Sequence, residues 1–341
     1  LTLDYYILKA LEDALDKDGG RGGGVVLDVE TGNILALASR PNFDQNNVFA
    51  SIDKDDSLWS VPSVAFPPGS IFKIVVAAAA LEEGICDGET PYTCTGGITI
   101  NGIKYSCHPN SGGLGDITIK DAFANSCNDA FIKLAMELGG DKIIEMARRL
   151  GLGSPLGIEL ANESGVLPDK SDYSGAGIGN LAIGQGKMEA TPLQIANMIS
   201  IIANNGVQKN IGLVQGIISQ DGEMLKEMRV KGQEIRVINE KTAKELKKWM
   251  KSVTEYGTGE KAYSAEVGGT AGKTGTPQVA GDPGASYYGW FGGYFPQDHP
   301  QYVIVILSRE ESNGGDRAAK IFRETAEAIH AYIKRLETIK N

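Results

Sequence analysis

A serine and a lysine three residues apart are the pair in this chain whose types and spacing most directly suggest chemistry. Ser70 and Lys73 follow Pro-Pro-Gly at 67–69 and open an apolar run at 74–81. Serine is favoured at a helix start, and an all-apolar run predicts a helix buried on every side. Residues three apart share a helical face, so the Lys73 amine would contact the Ser70 hydroxyl at the positive end of the helix. Such a pair is an activated nucleophile.

The Ser-x-x-Lys spacing also arises by chance, and the chain contains a second copy. Ser51 and Lys54 lie in a polar stretch followed by two aspartates, which predicts a solvated loop. A lysine inside an apolar helix is costly unless its amine has a partner or a purpose, which favours chemistry at Ser70 and Lys73. The structural alternative is a serine cap beside a lysine whose stem is buried and whose amine reaches water.

Two further tripeptides strengthen the chemical interpretation. Ser126, Cys127 and Asn128 precede an apolar helical pattern, and Lys-Thr-Gly at 273–275 lies in a stretch, 269–280, that reads as an extended strand. Ser-x-x-Lys, Ser-Asp-Asn and Lys-Thr-Gly, in this order, are the motifs of class A β-lactamases and penicillin-binding proteins. Cys127 stands where that pattern has aspartate.

With these motifs the chain resembles the transpeptidase domain of a class B, monofunctional penicillin-binding protein. The likeness runs from Leu3 and Asp4 through the segment 24–41 and the three motifs. It includes Ala-Ile-Gly-Gln-Gly at 182–186 and Thr-Pro-Leu-Gln at 191–194. The resemblance implies a D,D-transpeptidase that cross-links peptidoglycan stem peptides ending in D-Ala-D-Ala and that is acylated by β-lactam antibiotics. It implies no cofactor.

The resemblance gives the residues of the first two motifs catalytic roles. Ser70 would be the nucleophile, Lys73 its base, and Ser126 the group that passes the proton to the leaving D-Ala nitrogen. Asn128 would bind the lysine and a backbone amide of the substrate. A free lysine amine has a pKa of about 10.4, so Lys73 as a base requires a pKa of about 7 to 8. Burial and the positive charge of Lys273 are expected to supply that shift.

The third motif is expected to bind the substrate. By resemblance, Lys273, Thr274 and Thr276 would hold the terminal carboxylate of D-Ala, and Gly275 would leave the strand edge bare for the substrate. The backbone N–H groups of Ser70 and Thr276 would form the oxyanion hole.

The surrounding patterns predict a mixed α/β (α+β) fold of the serine β-lactamase/transpeptidase type. Its five-stranded antiparallel sheet has strands at 25–29, 34–39, 273–280, 288–295 and 302–308. Terminal helices at 7–15 and 317–336 flank the sheet, and the middle of the chain is mainly helical. One transpeptidase domain, 1–341, is expected, with a sheet lobe (1–60 with 255–341), a mainly helical lobe (61–254) and the active cleft between them.

Composition restricts the partners and the location. The 341 residues are 42% hydrophobic, enough for a large core, and the net charge of −10 argues against a nucleic-acid partner. No apolar run is long enough to span a membrane, and no signal peptide is visible. Members of the resembled family usually carry an N-terminal anchor and a non-catalytic domain. We therefore expect an excised part of a protein at the extracytoplasmic face of a bacterial membrane, with a glycosyltransferase and cell-wall assembly proteins as partners.

The cysteines leave one question open. Cys94 and Cys107 flank a segment, 98–105, whose Asn-Gly predicts a hairpin that pairs Ile100 with Ile103. That pairing offsets the two cysteines by two positions, and a bulge at 96–97 would correct the offset. A Cys94–Cys107 disulfide is thus left open, while Cys127 is expected to be a small buried residue. The three histidines have no metal-ligand spacing, and no metal is predicted.

Several related functions share these motifs. Glu159 and Glu163 do not match the deacylating Glu-x-x-Leu-Asn pattern of the class A enzymes, so we expect ordinary surface carboxylates and a long-lived acyl-enzyme. The alternatives are a β-lactam-sensing receptor or β-lactamase, a D-Ala-D-Ala carboxypeptidase, and a non-catalytic cell-wall scaffold. The motifs do not distinguish elongation, division and sporulation.

Overall fold

The computed structural model describes residues 1–44, 46–47, 60–107, 112–228, 234–277, 287–310 and 315–340. The second Ser-x-x-Lys copy, at Ser51 and Lys54, lies outside the described residues. The α-helices are α1 (Tyr5–Asp18), α2 (Lys73–Glu82), α3 (Ile119–Ala124), α4 (Asn128–Leu138), α5 (Gly140–Arg149), α6 (Gly177–Ala182), α7 (Pro192–Ala203), α8 (Glu240–Glu255) and α9 (Asp316–Lys340). The strands are β1 (Gly22–Asp28), β2 (Ile34–Arg40), β3 (Pro91–Cys94), β4 (Gly97–Ile100), β5 (Ile103–Ser106), β6 (Gly115–Thr118), β7 (Val207–Gln208), β8 (Gly216–Ile218), β9 (Met224–Glu227), β10 (Ile235–Arg236), β11 (Ala271–Gly275), β12 (Tyr287–Phe295) and β13 (Tyr302–Glu310).

A five-stranded antiparallel sheet joins the two ends of the chain. Its strand order is β11-β12-β13-β1-β2, so the early hairpin of β1 and β2 pairs with the late strands through β13. Side chains alternate between the two faces, and both faces are buried. Val26, Ile304 and Ile306 pack under α1 and α9 in one core, while Val25 and Val305 belong to the other, larger core.

The larger core contains α2 and the helices around it. Residues 74 to 80 of α2 are almost wholly buried, as their uninterrupted apolar character predicts. Helix α7 is buried along its whole length and begins with a capping box in which Thr191 and Gln194 satisfy each other's backbone N–H groups. These helices hold the motif residues against the sheet.

The structure confirms the predicted fold class and corrects some element boundaries. Strand β1 begins three residues before the predicted 25–29 and ends one residue earlier, β2 extends the predicted 34–39 by one residue, and Ile100 pairs with Ile103 as predicted. Strand β11 begins two residues earlier than the predicted 273–280 and ends at Gly275, and residues 278–280 lie outside the described residues. Both terminal helices are longer than predicted. The division into lobes 1–60 with 255–341 and 61–254 stays a prediction.

No helix in the described ranges has both the length and the apolarity that a membrane span requires.

Candidate active site

Ser70 lies in a tight turn and not in the helix that follows it. Residues Gly69–Phe72 form a 3₁₀ turn, and α2 begins only at Lys73. The expectation that Ser70 starts the α-helix is therefore wrong in detail. In a 3₁₀ turn residues i and i+3 eclipse each other, so Ser70 and Lys73 keep the alignment that their spacing predicts.

Close backbone contacts hold this turn in place. The Gly69 N–H donates to the Gly184 carbonyl over 2.9 Å, and a Cβ on Gly184 would lie 2.2 Å from the Gly69 carbonyl oxygen. A Cβ on Gly275 would lie 2.7 Å from the carbonyl oxygen of Pro68, so only glycine admits this close approach of β11 to the serine turn. Gly275 thus brings the third motif against the backbone of the serine turn, a role beyond the bare strand edge expected from the sequence.

Lys73 is wholly buried and directed at the second motif. Its Nζ donates to the Ser126 carbonyl oxygen over 2.6 Å, to Ser126 Oγ over 3.1 Å and to Asn128 Oδ1 over 2.6 Å. The ammonium group also lies 5.7 Å from the centre of the Phe131 ring. Ser70 Oγ is not among the hydrogen-bond partners of Lys73 within the described residues. Three oxygen acceptors of Ser126 and Asn128 therefore hold the amine against the second motif.

Burial lowers the pKa of Lys73 to about 7, against a smaller opposite effect of the Cys127 and Cys107 thiols. A substantial fraction of this amine is therefore neutral at physiological pH and able to accept a proton. The sequence predicted that the positive charge of Lys273 would also lower the pKa of Lys73, and this effect is not found. Burial, and next the charge of Lys73, lower the pKa of Lys273 well below its usual value.

The loop between α3 and α4 presents Ser126 to the lysine. Helix α3 begins with a capping box between Thr118 and Asp121, and the Ser126 N–H continues it by donating to the Phe123 carbonyl oxygen. Ser126 then adopts a φ of 54°, a left-handed conformation that is rare for a residue with a side chain. Asn128 begins α4, and its Nδ2 donates to the Ser106 carbonyl oxygen over 2.8 Å. One amide hydrogen of Asn128 remains for another acceptor.

Lys273 is also wholly buried, but it has a different environment. Its Nζ donates to the Thr274 carbonyl oxygen over 3.2 Å and lies 5.6 Å from the centre of the Phe123 ring. The neighbouring Thr274 hydroxyl forms a 2.7 Å hydrogen bond with the hydroxyl of Thr258. Thr276 follows β11 and is half-buried.

Thr258 is a site residue that the sequence reasoning missed. It follows α8, and its backbone N–H donates to the Ala124 carbonyl oxygen over 3.0 Å while its hydroxyl contacts Thr274. Thr258 thus links the end of α3, just before the second motif, to the strand of the third. The signal in the sequence is Gly257-Thr258-Gly259, a threonine between glycines in the turn after a helix.

Glu159 and Glu163 are exposed and hold loops together. Glu163 accepts a hydrogen bond from the Ala65 N–H over 2.7 Å, and Glu159 accepts one from the Leu213 N–H over 3.0 Å. Both carboxylates therefore brace backbone segments from the surface.

The cysteines of the hairpin region are free thiols in this structure. The Sγ atoms of Cys94 and Cys107 are 3.8 Å apart, and the possibility of a disulfide between them, left open by the sequence, stays open. The Cys127 thiol contacts both. The hydrogen bond with Cys127 lowers the pKa of Cys107 to about 5 and raises that of Cys127.

Residues 22–327 match the family model described as the penicillin binding protein transpeptidase domain. The chain is 34% identical to a Mycolicibacterium smegmatis penicillin-binding protein, PbpB, over 96% of the chain and 53% of that protein. It is 30% identical to the peptidoglycan D,D-transpeptidase PbpA of the same organism, over 96% of the chain and 71% of PbpA. The chain thus spans about half the length of the PbpB proteins it matches.

Solved structures agree over nearly the whole chain. The crystal structure of penicillin binding protein 3 from Mycobacterium tuberculosis, complexed with aztreonam, superposes with a TM-score of 0.84 at 28% identity, covering 99% of this chain and 78% of that one. The D,D-transpeptidase domain of an Eggerthella lenta peptidoglycan glycosyltransferase gives a TM-score of 0.87 at 26% identity, covering 98% and 82%.

Proposed function

The chain belongs to the penicillin-binding protein transpeptidase domain family, among the class B members, and we propose that it cross-links peptidoglycan stem peptides through an acyl-enzyme on Ser70. The observation that carries the proposal is the buried Lys73 amine, held by Ser126 and Asn128 one turn from Ser70, with its pKa lowered to about 7. The relatives named as D,D-transpeptidases support the same reaction.

Acylation begins with the Ser70 hydroxyl. Its oxygen attacks the carbonyl carbon of the penultimate D-Ala, and its proton passes to the neutral Lys73 amine. Because Lys73 Nζ is bound to Ser126 and Asn128 in the resting site, a small side-chain rotation must bring the amine and Ser70 Oγ into contact, as catalytic hydrogen bonds commonly form only with substrate bound. Lys73 alone supplies the base in this scheme.

The proton then leaves through Ser126. Ser126 Oγ accepts from Lys73, so it can pass the proton to the amide nitrogen of the terminal D-Ala as the C–N bond breaks. The remaining peptide stays on Ser70 as an ester until the amine of a second stem peptide attacks it. Lys73 accepts the proton of that amine, and Ser70 Oγ recovers its proton as the ester bond breaks.

The third motif binds the charged end of the donor peptide. Lys273, Thr274 and Thr276 hold the carboxylate of the terminal D-Ala, and the backbone N–H groups of Ser70 and Thr276 bind the developing oxyanion. The approach of Gly275 to the serine turn supports this pairing of N–H groups. A bound carboxylate also restores the proton on Lys273, because an adjacent anion favours the charged amine.

Intact-protein mass spectrometry tests the proposal. Incubation with benzylpenicillin should add one antibiotic mass that persists for hours, and Ser70→Ala should abolish it. Ser51→Ala, at the second Ser-x-x-Lys copy, is the matched control and should acylate like the unchanged protein. An adduct that forms equally in Ser70→Ala would place the nucleophile elsewhere and overturn the proposal.

The lifetime of the adduct separates the related functions. Consumption of the antibiotic with rapid loss of the adduct would indicate a β-lactamase, for which Glu159 and Glu163 give no support because both hold loop backbones. Release of D-Ala from a pentapeptide without transfer to an amine would indicate a carboxypeptidase. No adduct at all in a folded protein would indicate a scaffold. The sensing receptor would form the persistent adduct without turning over peptide.

The proposed reaction also implies where the domain acts. Peptidoglycan lies outside the cytoplasmic membrane, so the domain would act at its extracytoplasmic face, with stem peptides and β-lactams as ligands. A glycosyltransferase and cell-wall assembly proteins are the partners that such a reaction calls for, since cross-linking needs newly made glycan.

A further inference from the structure

Three buried thiols lie together behind the second motif. Cys94 ends β3, Cys107 follows β5, and Cys127 caps α4 between Ser126 and Asn128. The Cys127 Sγ is 3.2 Å from the Sγ of Cys94 and 3.5 Å from that of Cys107, and the third side of the triangle is 3.8 Å. Each residue is at most 7% exposed. The proposed reaction uses none of these thiols.

The shape of the triangle suits a metal ion. Sulfur ligands at ~2.3 Å from a tetrahedral ion lie about 3.8 Å from each other. The cluster already has one side of this length, and its shortest side must open by only about half an ångström. A disulfide joins two sulfurs at ~2.05 Å and would leave the third buried thiol without a use.

The surroundings favour sulfur in its anionic form. The backbone N–H of Asp129 donates to Cys107 Sγ over 3.4 Å, and that of Ala130 donates to Cys127 Sγ over 3.5 Å. Both N–H groups belong to the first turn of α4, whose positive end stabilises thiolates. The Asp129 carboxylate accepts hydrogen bonds from the N–H and the hydroxyl of Thr95 and is paired with Lys133, which offsets its charge.

We propose that Cys94, Cys107 and Cys127 bind one thiophilic d¹⁰ metal ion, Zn²⁺ or Cu⁺, as thiolates. Soft thiolate ligands select these ions. Three sulfurs complete a trigonal Cu⁺ site, and they leave one position of a tetrahedral Zn²⁺ for a small external ligand. Each thiol releases its proton when its sulfur binds the ion.

The sequence did not predict this site because its ligands are 13 and 20 residues apart and lack the short Cys-x-x-Cys spacing of common zinc sites. Because Cys127 lies between Ser126 and Asn128, an ion bound to it would also affect the active site. An ion bound to its sulfur would fix the backbone that carries Ser126 and Asn128, and this consequence rests on the proposed function. Binding itself does not depend on that function.

Metal titration of the reduced, chelator-treated protein tests the site. Zn²⁺ is measured in competition with a chromophoric chelator, Co²⁺ gives a spectroscopic signal for thiolate ligands, and Cu⁺ is added anaerobically in a separate arm. We expect one ion per chain and thiolate-to-cobalt charge-transfer absorption. Each of Cys94→Ser, Cys107→Ser and Cys127→Ser should weaken binding by more than about 100-fold, beyond the loss typical of an outer-shell change.

Cys86→Ser is the matched control, because Cys86 is a free cysteine outside the cluster, and it should bind like the unchanged protein. Circular dichroism verifies folding, and Cys94→Ser decides the question if Cys127→Ser does not fold. The proposal is overturned if the folded, reduced protein binds no ion, or if Cys94→Ser binds as tightly as Cys86→Ser. Alkylation at anaerobic lysis that finds two of the three thiols in a disulfide also overturns it. Penicillin acylation, measured on the same samples, shows separately whether the proposed function holds.

Discussion

Two buried lysines face each other in this site, and they differ in what surrounds them. Lys73 and Lys273 are both 0% exposed and both lie beside a phenylalanine ring. Lys73 donates to three oxygens of Ser126 and Asn128, whereas Lys273, within the described part of the chain, donates to the two oxygens of Thr274. Among the described residues, neither amine has a carboxylate within ion-pair distance.

Because their surroundings differ, the two lysines are suited to different tasks. Burial lowers the pKa of both amines, and the pKa of Lys73 falls to about 7, where a base is useful. The charge of Lys73 adds to the effect of burial on the pKa of Lys273, and no carboxylate of the described residues lies close enough to favour its proton. Lys73 is therefore suited to move a proton, and Lys273 to gain one when an anion arrives. One identical substitution at each position separates these tasks.

The largest effect is expected from Lys73→Met. The change removes the base, so the second-order rate of acylation by benzylpenicillin should fall about 10³-fold, within the range known for general bases. Stopped-flow mixing or timed mass spectrometry measures the rate. Thermal unfolding shows whether the variant folds, since Ser126 and Asn128 lose their donor. A loss of less than about tenfold in a folded variant would exclude Lys73 as the base.

The pH dependence of acylation tests the same assignment of Lys73 as the base. Because only the neutral amine accepts a proton, the rate should rise with pH and level off above the Lys73 pKa of about 7. With that pKa, about 1% of the amine is neutral at about pH 5, so the rate there should be about 100-fold below the plateau. A flat profile, or a midpoint near that of a free lysine, would contradict it. Lys73→Met should lose the midpoint while keeping its residual rate.

A smaller and more selective effect is expected from Lys273→Met. The loss of a charge-assisted hydrogen bond, worth about 1.5–3 kcal/mol, should slow acylation by benzylpenicillin about 10- to 100-fold. Benzylpenicillin methyl ester, which lacks the carboxylate, should acylate the variant and the unchanged protein within about threefold of each other. Equal losses with both antibiotics would show that Lys273 acts on the serine and not on the carboxylate.

Residue types and local patterns predicted much of this molecule. The apolar run at 74–81 could only be a buried helix, and the lysine that opens it needed the partners that Ser126 and Asn128 provide. The strands of the sheet followed from alternation. Where a boundary depended on a distant contact, the pattern failed, because the turn at Ser70 is fixed by Gly184 from far along the chain.

The features that the sequence did not predict are contacts between segments that share no motif. The cysteine cluster adds Cys127, which was expected to be an ordinary small buried residue, to Cys94 and Cys107, which the sequence considered only as a pair. Thr258 belongs to this group, since its importance comes from what it touches on either side.

The smallest effect is expected from Thr258→Val, which removes the hydroxyl that contacts Thr274 and keeps the size of the side chain. The lost hydrogen bond, worth about 1 kcal/mol, should slow acylation by benzylpenicillin about fivefold, because Thr274 is then free to turn away from the carboxylate. Thr258→Ser keeps the hydroxyl and should restore the rate. If Thr258 acts through the Lys273 side of the site, Thr258→Val should leave the Lys73-dependent midpoint near pH 7 unchanged. A shift of that midpoint would instead place Thr258 with the second motif, through its backbone contact with Ala124.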